Sequence, residues 1–347
     1  MPSFSAAFER SFRTRFFPKT TAADWTDAWW QLAHRIRTPE RLLEVLPDLL
    51  PVQRRALARS ATWRMPLLLT PYAAALLASL SPEHSYRRTL LPDVREARVA
   101  KGDTCDPLGE LPHLVAPGLV HAYPKKALLL ATADCASFCR YCTRARTACE
   151  PPATDFGPAF AYLRAHPEID DVLISGGAPL TLPDAALERL LDGLAAIPSV
   201  TFLRIGTKVP AMLPQRVTPG LVRLLKRYRP LWLSLHFSHP AELTARVGAA
   251  LRRLSDAGLP LMNQCVLLRG VNDDAEVLQK LFSRLIRLNV KPYYLHHADQ
   301  AAGTGHFRTP MAQGRALLRQ IAPRLTGYAL PRYMIDPYPG GRKHPID

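Results

Sequence analysis

The sequence predicts an α/β fold in which a helical N-terminal region precedes a partial (β/α)6 barrel of the TIM type. Six short apolar runs of strand length follow one another, and after a first interval of about 44 residues they recur about every 30 residues. Helical patterns lie between the runs, and strand, helix and strand at this spacing form a βαβ unit. Six units imply parallel strands but fall short of the eight that close a barrel. The runs cover 127–132, 171–175, 201–206, 231–237, 259–267 and 290–296.

Residues 1–110 are predicted to form the helical N-terminal region, because they are rich in Ala, Leu, Arg and Trp and show no alternating pattern. One helical stripe there carries Asp24, Trp25, Ala28, Trp29, Leu32 and Ile36. A second helical stretch begins at Pro39 and runs toward Leu50. Residues 111–347 are predicted to hold the partial barrel and a C-terminal segment. Helical spacing within the barrel is clearest at Leu187, Leu190, Leu191 and Leu194.

The composition excludes several classes of protein. A chain of 347 residues, 48% of them hydrophobic, can bury a large core, which excludes wholesale disorder and a small disulfide scaffold. The chain lacks an apolar run of the roughly 18 residues that a membrane helix needs, and its start lacks the apolar core of a secretory signal. We therefore expect a soluble, cytoplasmic protein without a membrane partner.

The formal net charge of +16 has two interpretations. It is either an electrostatic footprint for nucleic acid or another polyanion, or a diffusely basic surface. The basic residues are scattered and form no dense block with interleaved aromatic residues. This distribution favours a diffusely basic surface, so nucleic acid is not the predicted partner.

Polar or glycine-rich residues follow all six predicted strands. In parallel α/β folds the chemistry lies at the carboxyl ends of the strands, so agreement among six separate segments indicates a site at that edge. In chain order these ends carry Cys135 to Cys142, Ser175-Gly176-Gly177, Gly206-Thr207-Lys208, His236 with His239, Asn263-Gln264, and His296-His297 with Asp299.

Three cysteines, Cys135, Cys139 and Cys142, have the spacing C-x3-C-x2-C on the loop after the first barrel strand. Three thiolates suit a [4Fe-4S] cluster in which one iron has no protein ligand and stays open to a small molecule. A structural zinc site needs a fourth ligand, for which Cys105 and Cys149 are the candidates. The spacing favours the cluster and leaves zinc as the alternative.

The three cysteines, followed by Gly176-Gly177 after the second barrel strand, resemble the radical S-adenosylmethionine superfamily. The resemblance implies that the open iron binds S-adenosylmethionine and that the reduced cluster cleaves it to a 5′-deoxyadenosyl radical. It also implies a fold of the radical S-adenosylmethionine type. Four residues at the strand ends are expected to bind cofactor: Gly176, Gly177, His236 and Gln264.

Five segments together are similar to the lysine 2,3-aminomutase family, and they occur in family order along nearly the whole chain. They are 25–36, 120–124, 139–146, 263–273 and 303–310. The resemblance implies pyridoxal 5′-phosphate as a further cofactor, bound through Lys343 in a C-terminal segment, with Tyr123 and Lys126 beside it. Ala122 stands where the family has an arginine and Ala178 where it has an aspartate, so those contacts are left open.

The resemblance also implies a substrate. Arg144 matches the arginine that binds the substrate carboxylate, and Asp299 and Asp336 match the two acids that hold the distal ammonium of lysine. The expected activity is that of an isomerase, which moves the α-amino group of L-lysine to the β carbon. The alternatives within this chemistry are another amino acid such as arginine, or the β-lysine synthesis that serves elongation factor P.

The expected partners are the amino acid substrate and a reductant such as flavodoxin or ferredoxin, while the formation of a homo-oligomer is left open. Two alternatives belong to other classes. One is a radical enzyme acting on RNA or protein, suggested by the net charge. The other is a non-catalytic iron-sulfur protein, suggested by Ala122 and Ala178.

Overall fold

A computed structural model describes residues 4–59, 65–145, 155–336 and 343–346. Its centre is one ten-stranded sheet in which neighbouring strands follow one another in sequence. The strands are β1 (Leu114–Ala116), β2 (Leu119–Tyr123), β3 (Lys126–Thr132), β4 (Asp171–Gly176), β5 (Phe202–Thr207), β6 (Leu231–Leu235), β7 (Leu261–Val266), β8 (Val290–His296), β9 (Arg332–Ile335) and β10 (His344–Pro345).

Strands β3 to β9 pair in parallel, each with the next. The six predicted strands correspond to β3 to β8, so the predicted α/β partial barrel is confirmed. The sheet is longer than expected, because β1 and β2 precede it as antiparallel strands and β9 and β10 follow it. Among the described residues no ladder joins β1 to β10, and the barrel is open.

Helices cover the sheet and also build the region before it. The helices of the N-terminal region are α1 (Ala6–Phe16), α2 (Ala22–Thr26), α3 (Ala28–Ala33), α4 (Pro39–Val45), α5 (Pro51–Leu57) and α6 (Pro71–Ala78). Those of the barrel are α7 (Gly157–Ala165), α8 (Asp184–Ala195), α9 (Val209–Met212), α10 (Pro219–Lys226), α11 (Ala245–Asp256), α12 (Ala275–Ile286) and α13 (Met311–Ile321). The predicted apolar face of α8 is confirmed, because its four leucines are all buried.

The predicted stripe from Asp24 to Ile36 is divided between two short helices. The carboxylate of Asp27 accepts a hydrogen bond from the Trp30 amide at 2.6 Å, and this cap starts α3 in a new direction. Ile36 lies beyond α3 and pairs with Leu69 in an isolated β-bridge. The division therefore follows from a capping aspartate in the middle of the pattern.

One hydrophobic core extends from the N-terminal helices into the barrel, from Phe12 to Tyr333. The N-terminal region therefore packs directly against the sheet and its helices. The domain boundary at residue 110 stays a prediction. In the described part of the chain, the helices are too short or too polar to cross a bilayer.

Candidate active site

The cysteine loop follows β3 and is held by the N-terminal region. The amide of Phe138 donates to the Leu68 carbonyl at 2.9 Å, and the amide of Arg140 donates to the Thr89 carbonyl at 2.8 Å. The Arg140 guanidinium is buried in an ion pair with Glu96 and also donates to the Met65 carbonyl at 2.9 Å. These contacts fix the loop main chain from a part of the chain that precedes the barrel.

The thiols of Cys135, Cys139 and Cys142 lie close enough to influence one another. Burial, together with the neighbouring thiol of Cys139, raises the pKa of Cys142 to about 11, and burial also raises the pKa of the other two. The described residues contain no group of three His, Cys, Asp or Glu side chains arranged around a single metal ion. Three thiols that lie on one loop and influence one another electrostatically are a donor set that would suit a [4Fe-4S] cluster.

Two glycines close the gap between the cysteine loop and the end of β4. Gly176 has a positive φ of 115°, and a Cβ at Gly177 would overlap the main-chain carbonyl of Asp134. The amide of Gly177 donates to the Thr132 carbonyl at 2.5 Å. Side chains at these two positions would push the β4 end away from the loop, so the Gly-Gly pair has a packing role in addition to its predicted cofactor role.

Lys343 lies beside β10, and its ammonium group is 3.4 Å from a carboxylate oxygen of Asp336. Its Nζ also lies 5.3 Å from the centre of the Tyr294 ring. The Lys343 amide donates to the Tyr123 hydroxyl at 3.0 Å, which places Tyr123 of β2 next to the far end of the sheet. Lys126 is exposed and sits 5.3 Å from the Tyr123 ring centre.

Burial lowers the pKa of Lys343, although Asp336 and Asp299 act in the opposite direction. Burial and the nearby Asp336 raise the pKa of Asp299 to about 7. Both shifts favour neutral groups, because charge is costly away from water. The site therefore brings Lys343, Asp299 and Asp336 together, as the family resemblance implies.

Two histidines border this group. Burial, with Lys208 and Arg144 nearby, lowers the pKa of His236 to about 3. Burial and Lys343 also hold the pKa of His296 well below its usual range. Both imidazoles are therefore neutral at pH 7. His296 contacts the Gln264 side chain at 3.3 Å, which joins the predicted cofactor residue Gln264 to the lysine end of the site.

Arg144 lies near both the cysteine loop and Asp299. Its guanidinium interacts electrostatically with Cys142 and Asp299, and it donates two short hydrogen bonds to Glu110, from Nε at 2.9 Å and from Nη2 at 2.6 Å. A further contact, from Nη1 to the Ser175 hydroxyl, measures 3.5 Å. Arg144 thus lies near Cys142 and Asp299, and one edge of its guanidinium already holds a carboxylate.

Sequence reasoning missed Glu110, Tyr294 and the ion pair of Lys208 with Glu242 under the cysteine loop. Lys208 donates to the His236 carbonyl at 3.0 Å, and Glu242 accepts the Ser238 amide, so the pair fixes the end of β6. Tyr294 alternates with buried residues along β8 and is visible only as a strand residue. The sequence indicates Lys208 as a strand-end residue but does not indicate Glu242 as its partner.

The alternative zinc ligands find no support in the described residues. Cys105 is exposed, and the described residues show no group of three possible ligands that includes it. Cys149 lies outside the described residues. The cluster prediction therefore keeps the donor set of Cys135, Cys139 and Cys142.

Curated relatives are similar to this chain over most of its length. It is 39% identical over 338 residues to the L-lysine 2,3-aminomutase of Clostridium subterminale, covering 96% of this chain and 81% of that protein. It is 38% identical to the L-lysine 2,3-aminomutase of Bacillus subtilis, covering 92% of this chain and 68% of that protein. The glutamate 2,3-aminomutase of Clostridioides difficile is 32% identical, over 94% of this chain and 78% of that protein.

Solved structures resemble the chain more distantly, and no family model matches it. Streptococcus suis SuiB bound to S-adenosylmethionine has a TM-score of 0.46 at 15% identity, covering 62% of this chain and 48% of that one. Coproporphyrinogen III oxidase from Escherichia coli has a TM-score of 0.39 at 14% identity, covering 63% and 54%. Both scores are too low to carry an argument. The sequence relatives are sufficient: the chain belongs to the lysine 2,3-aminomutase family.

Proposed function

We propose that this protein is a radical aminomutase that converts L-lysine to β-lysine by moving the amino group from the α to the β carbon. The observation that carries the proposal is the meeting of Arg144, Asp299, Asp336 and Lys343 in one partly buried site beside the cysteine loop. Family membership supports the reaction class, and the charges of these four side chains support the substrate.

The two ends of lysine find complementary groups in this site. Arg144 binds the α-carboxylate, because a guanidinium is a planar donor suited to carboxylates. Asp299 and Asp336 bind the distal ammonium, which must lose its water and therefore needs acidic partners. A bound ammonium also relieves the repulsion between the two acids that contributes to the raised pKa of Asp299. The γ-carboxylate of glutamate would meet the same two acids and be repelled.

The residues present fit the cofactors of the family. When bound, the [4Fe-4S] cluster and S-adenosylmethionine supply hydrogen-atom abstraction, and pyridoxal phosphate supplies a carbonyl carrier for the migrating amino group. Cys135, Cys139 and Cys142 would hold the cluster. Lys343 would hold pyridoxal phosphate, because its lowered pKa favours the neutral, nucleophilic amine. Tyr123 accepts a hydrogen bond from the Lys343 amide, and the ammonium of Lys126 lies over the Tyr123 ring.

The remaining side chains shape the site around these groups. His236 and His296 offer neutral hydrogen-bonding nitrogens, since burial keeps both unprotonated at pH 7. They can contact cofactor or substrate without adding a positive charge next to Arg144 and Lys343. Gly176 and Gly177 bring the end of β4 close to the cysteine loop. A reductant such as flavodoxin or ferredoxin belongs to this proposal as the electron donor.

The proposal is tested by anaerobic reconstitution with iron, sulfide, S-adenosylmethionine, pyridoxal phosphate and dithionite, followed by incubation with lysine. We expect β-lysine in the products and none of the β-isomer from glutamate. Lys343→Ala should abolish turnover, whereas Lys280→Ala, which removes an exposed lysine of α12, should leave turnover unchanged. Absence of β-lysine from a protein loaded with all three cofactors would refute the proposal.

Borohydride treatment adds a test that does not depend on turnover. Reduction should fix a pyridoxyl group to Lys343, which peptide mapping would locate. A label on another lysine would remove Lys343 from its proposed role. If the protein turned over arginine and not lysine, the proposed substrate would be wrong and the proposed reaction class would stand.

A further inference from the structure

We propose that Glu110 is a positioning residue, which selects the edge of the Arg144 guanidinium that meets the substrate carboxylate. The inference rests on the proposed function, because it assigns a partner to the carboxylate-binding arginine. It does not depend on which amino acid is the substrate, since every α-amino acid carries that carboxylate.

The geometry of the pair divides the guanidinium into two edges. Glu110 accepts hydrogen bonds from Nε at 2.9 Å and 3.2 Å and from Nη2 at 2.6 Å, which occupy the side edge of Arg144. The end edge carries Nη1, which lies 3.5 Å from the Ser175 hydroxyl at the end of β4. A guanidinium is rigid and planar, so fixing the side edge also fixes the direction of the end edge.

Glu110 is itself held in place. Its amide donates to one carboxylate oxygen of Asp106 at 3.0 Å, and the amide of Leu111 donates to the other at 2.8 Å. The Glu110 side chain is 6% exposed and that of Arg144 is 19% exposed. A buried carboxylate on a main chain that is anchored at two successive amides makes a firm support for the arginine, in contrast to an exposed ion pair with little net effect on stability.

The charges give this arrangement a distinctive signature. Arg144 screens the buried Glu110 carboxylate from the carboxylate of the substrate. If Arg144 is removed alone, Glu110 remains as an uncompensated buried charge beside the substrate carboxylate. A variant that lacks both charges should then bind the amino acid more tightly than a variant that lacks Arg144 alone. The Glu110 carboxylate therefore raises the affinity when Arg144 is present and lowers it when Arg144 is absent.

The test is a double-mutant cycle on the cofactor-loaded protein, with equilibrium lysine binding and kcat measured for Glu110→Gln, Arg144→Ala and the double variant. We expect Glu110→Gln to raise the Kd and KM for lysine about 10-fold, the size of one charge-assisted hydrogen bond. On the Arg144→Ala background the same substitution should lower the Kd. Glu110→Asp keeps the charge but shortens the side chain, so its Kd for lysine should lie between those of the wild type and Glu110→Gln.

A carboxylate-free probe separates positioning from general structural support. Binding of 1,5-diaminopentane, which has both amines of lysine and no carboxylate, should be unchanged by Glu110→Gln. Glu188→Gln, which breaks the exposed pair with Arg227, serves as the matched control and should affect neither ligand. Iron content and thermal unfolding verify that each variant is folded.

Two results would overturn the inference while leaving the proposed function intact. One is an equal loss of affinity for lysine and the diamine in Glu110→Gln, and the other is an additive cycle without reversal of sign. If the wild type turns over another amino acid, the cycle is run with that compound and its decarboxylated form, and the inference is decided there. If the wild type binds no amino acid, the proposed function and the inference both fail.

Discussion

At the scale of single residues, the site combines groups whose charges are costly until ligands arrive. Asp299 and Asp336 lie near each other, and burial raises the pKa of Asp299 to about 7. The pKa of Lys343 shifts in the opposite direction, because burial lowers it. The substrate-free site thus carries less charge than its side chains suggest, and a cationic substrate end favours the ionised form of Asp299.

The raised pKa of Asp299 predicts that Asp299→Asn stabilises the substrate-free protein more at pH 8 than at pH 5. The carboxyl titrates at about 4 in an unfolded chain and at about 7 in the folded one. The folded state therefore holds an extra proton between these values, and stability falls as the pH rises through that window. The variant escapes this loss, which between pH 5 and pH 8 amounts to roughly 2–3 kcal/mol.

Thermal unfolding of both proteins at the two pH values measures this difference. The wild type without added lysine is the reference. Added lysine should reduce the difference in Tm between the variant and the wild type at pH 8, because its ammonium compensates the charge of the two acids. A difference in Tm that is the same at pH 5 and pH 8 would contradict the assignment.

The three cysteines stand out in the sequence because their spacing on one loop forms a pattern, and Lys343, Asp299 and Asp336 stand out because a family resemblance covers them. Glu110 could not be predicted in the same way. Its partner Arg144 lies 34 residues further along the chain. A single glutamate in a loop before β1 carries no periodic or spacing signal, so only the folded arrangement reveals the pair.

At the scale of elements, the end of β4 sets how closely the barrel approaches the cysteine loop. The Gly176-Gly177 pair allows main-chain atoms of β4 and of the loop to touch, with hydrogen bonds from Gly177 to Thr132 and from Ala178 to Asp134 at 2.7 Å. Ala178 is buried in this contact. The Ala178 amide therefore contacts the loop even though the side chain lacks the carboxylate that the family has at this position.

Gly177→Ala is therefore expected to weaken the cysteine loop. The added Cβ would overlap the Asp134 carbonyl, and relieving such overpacking costs about 1–3 kcal/mol. We expect a lower Tm and a lower iron content after reconstitution. Gly327→Ala is the matched control, because a Cβ there meets no atom within 4 Å. Full iron content in Gly177→Ala would show that the loop tolerates the shift.

The elements themselves were predictable to different degrees. Strands β3 to β8 carry apolar runs that any core strand needs, and their spacing gives the βαβ order. Strand β9 has only four residues, and β10 has two. Such short strands are held by pairing with β8 and with each other rather than by an apolar pattern, which is why the sequence did not indicate them.

At the scale of the whole molecule, a hydrogen bond between a side chain and the main chain joins the two ends of the open barrel, where the described residues show no strand ladder. Tyr123, from the second strand, accepts the amide of Lys343 beside the tenth. The two ends of a sheet that does not close are thus linked at the residue proposed to hold pyridoxal phosphate.

Tyr123→Phe should lower the occupancy of pyridoxal phosphate without changing the iron content. The variant loses one hydrogen bond, worth about 1 kcal/mol, which corresponds to an affinity loss of about five-fold. The aromatic ring next to Lys126 remains. The measurement is the ratio of each cofactor to protein, and Tyr328→Phe, at a tyrosine that is 75% exposed, is the control. An equal loss of iron would mean that Tyr123 supports the fold generally.

The anchoring of the cysteine loop also bears on the order of biosynthesis. Leu68, Thr89 and Glu96, which hold Phe138 and Arg140 of the loop, all precede the cysteines in the chain. Lys343 is made 201 residues after Cys142, the difference of their positions. A ribosome therefore delivers the partners of the metal-binding loop before the loop itself, and the cofactor lysine long afterwards. The contacts from Leu68, Thr89 and Glu96 are thus available to the cysteine loop as soon as it is synthesised, whereas the contacts from Gly177 and Ala178, and then Lys343, are added later.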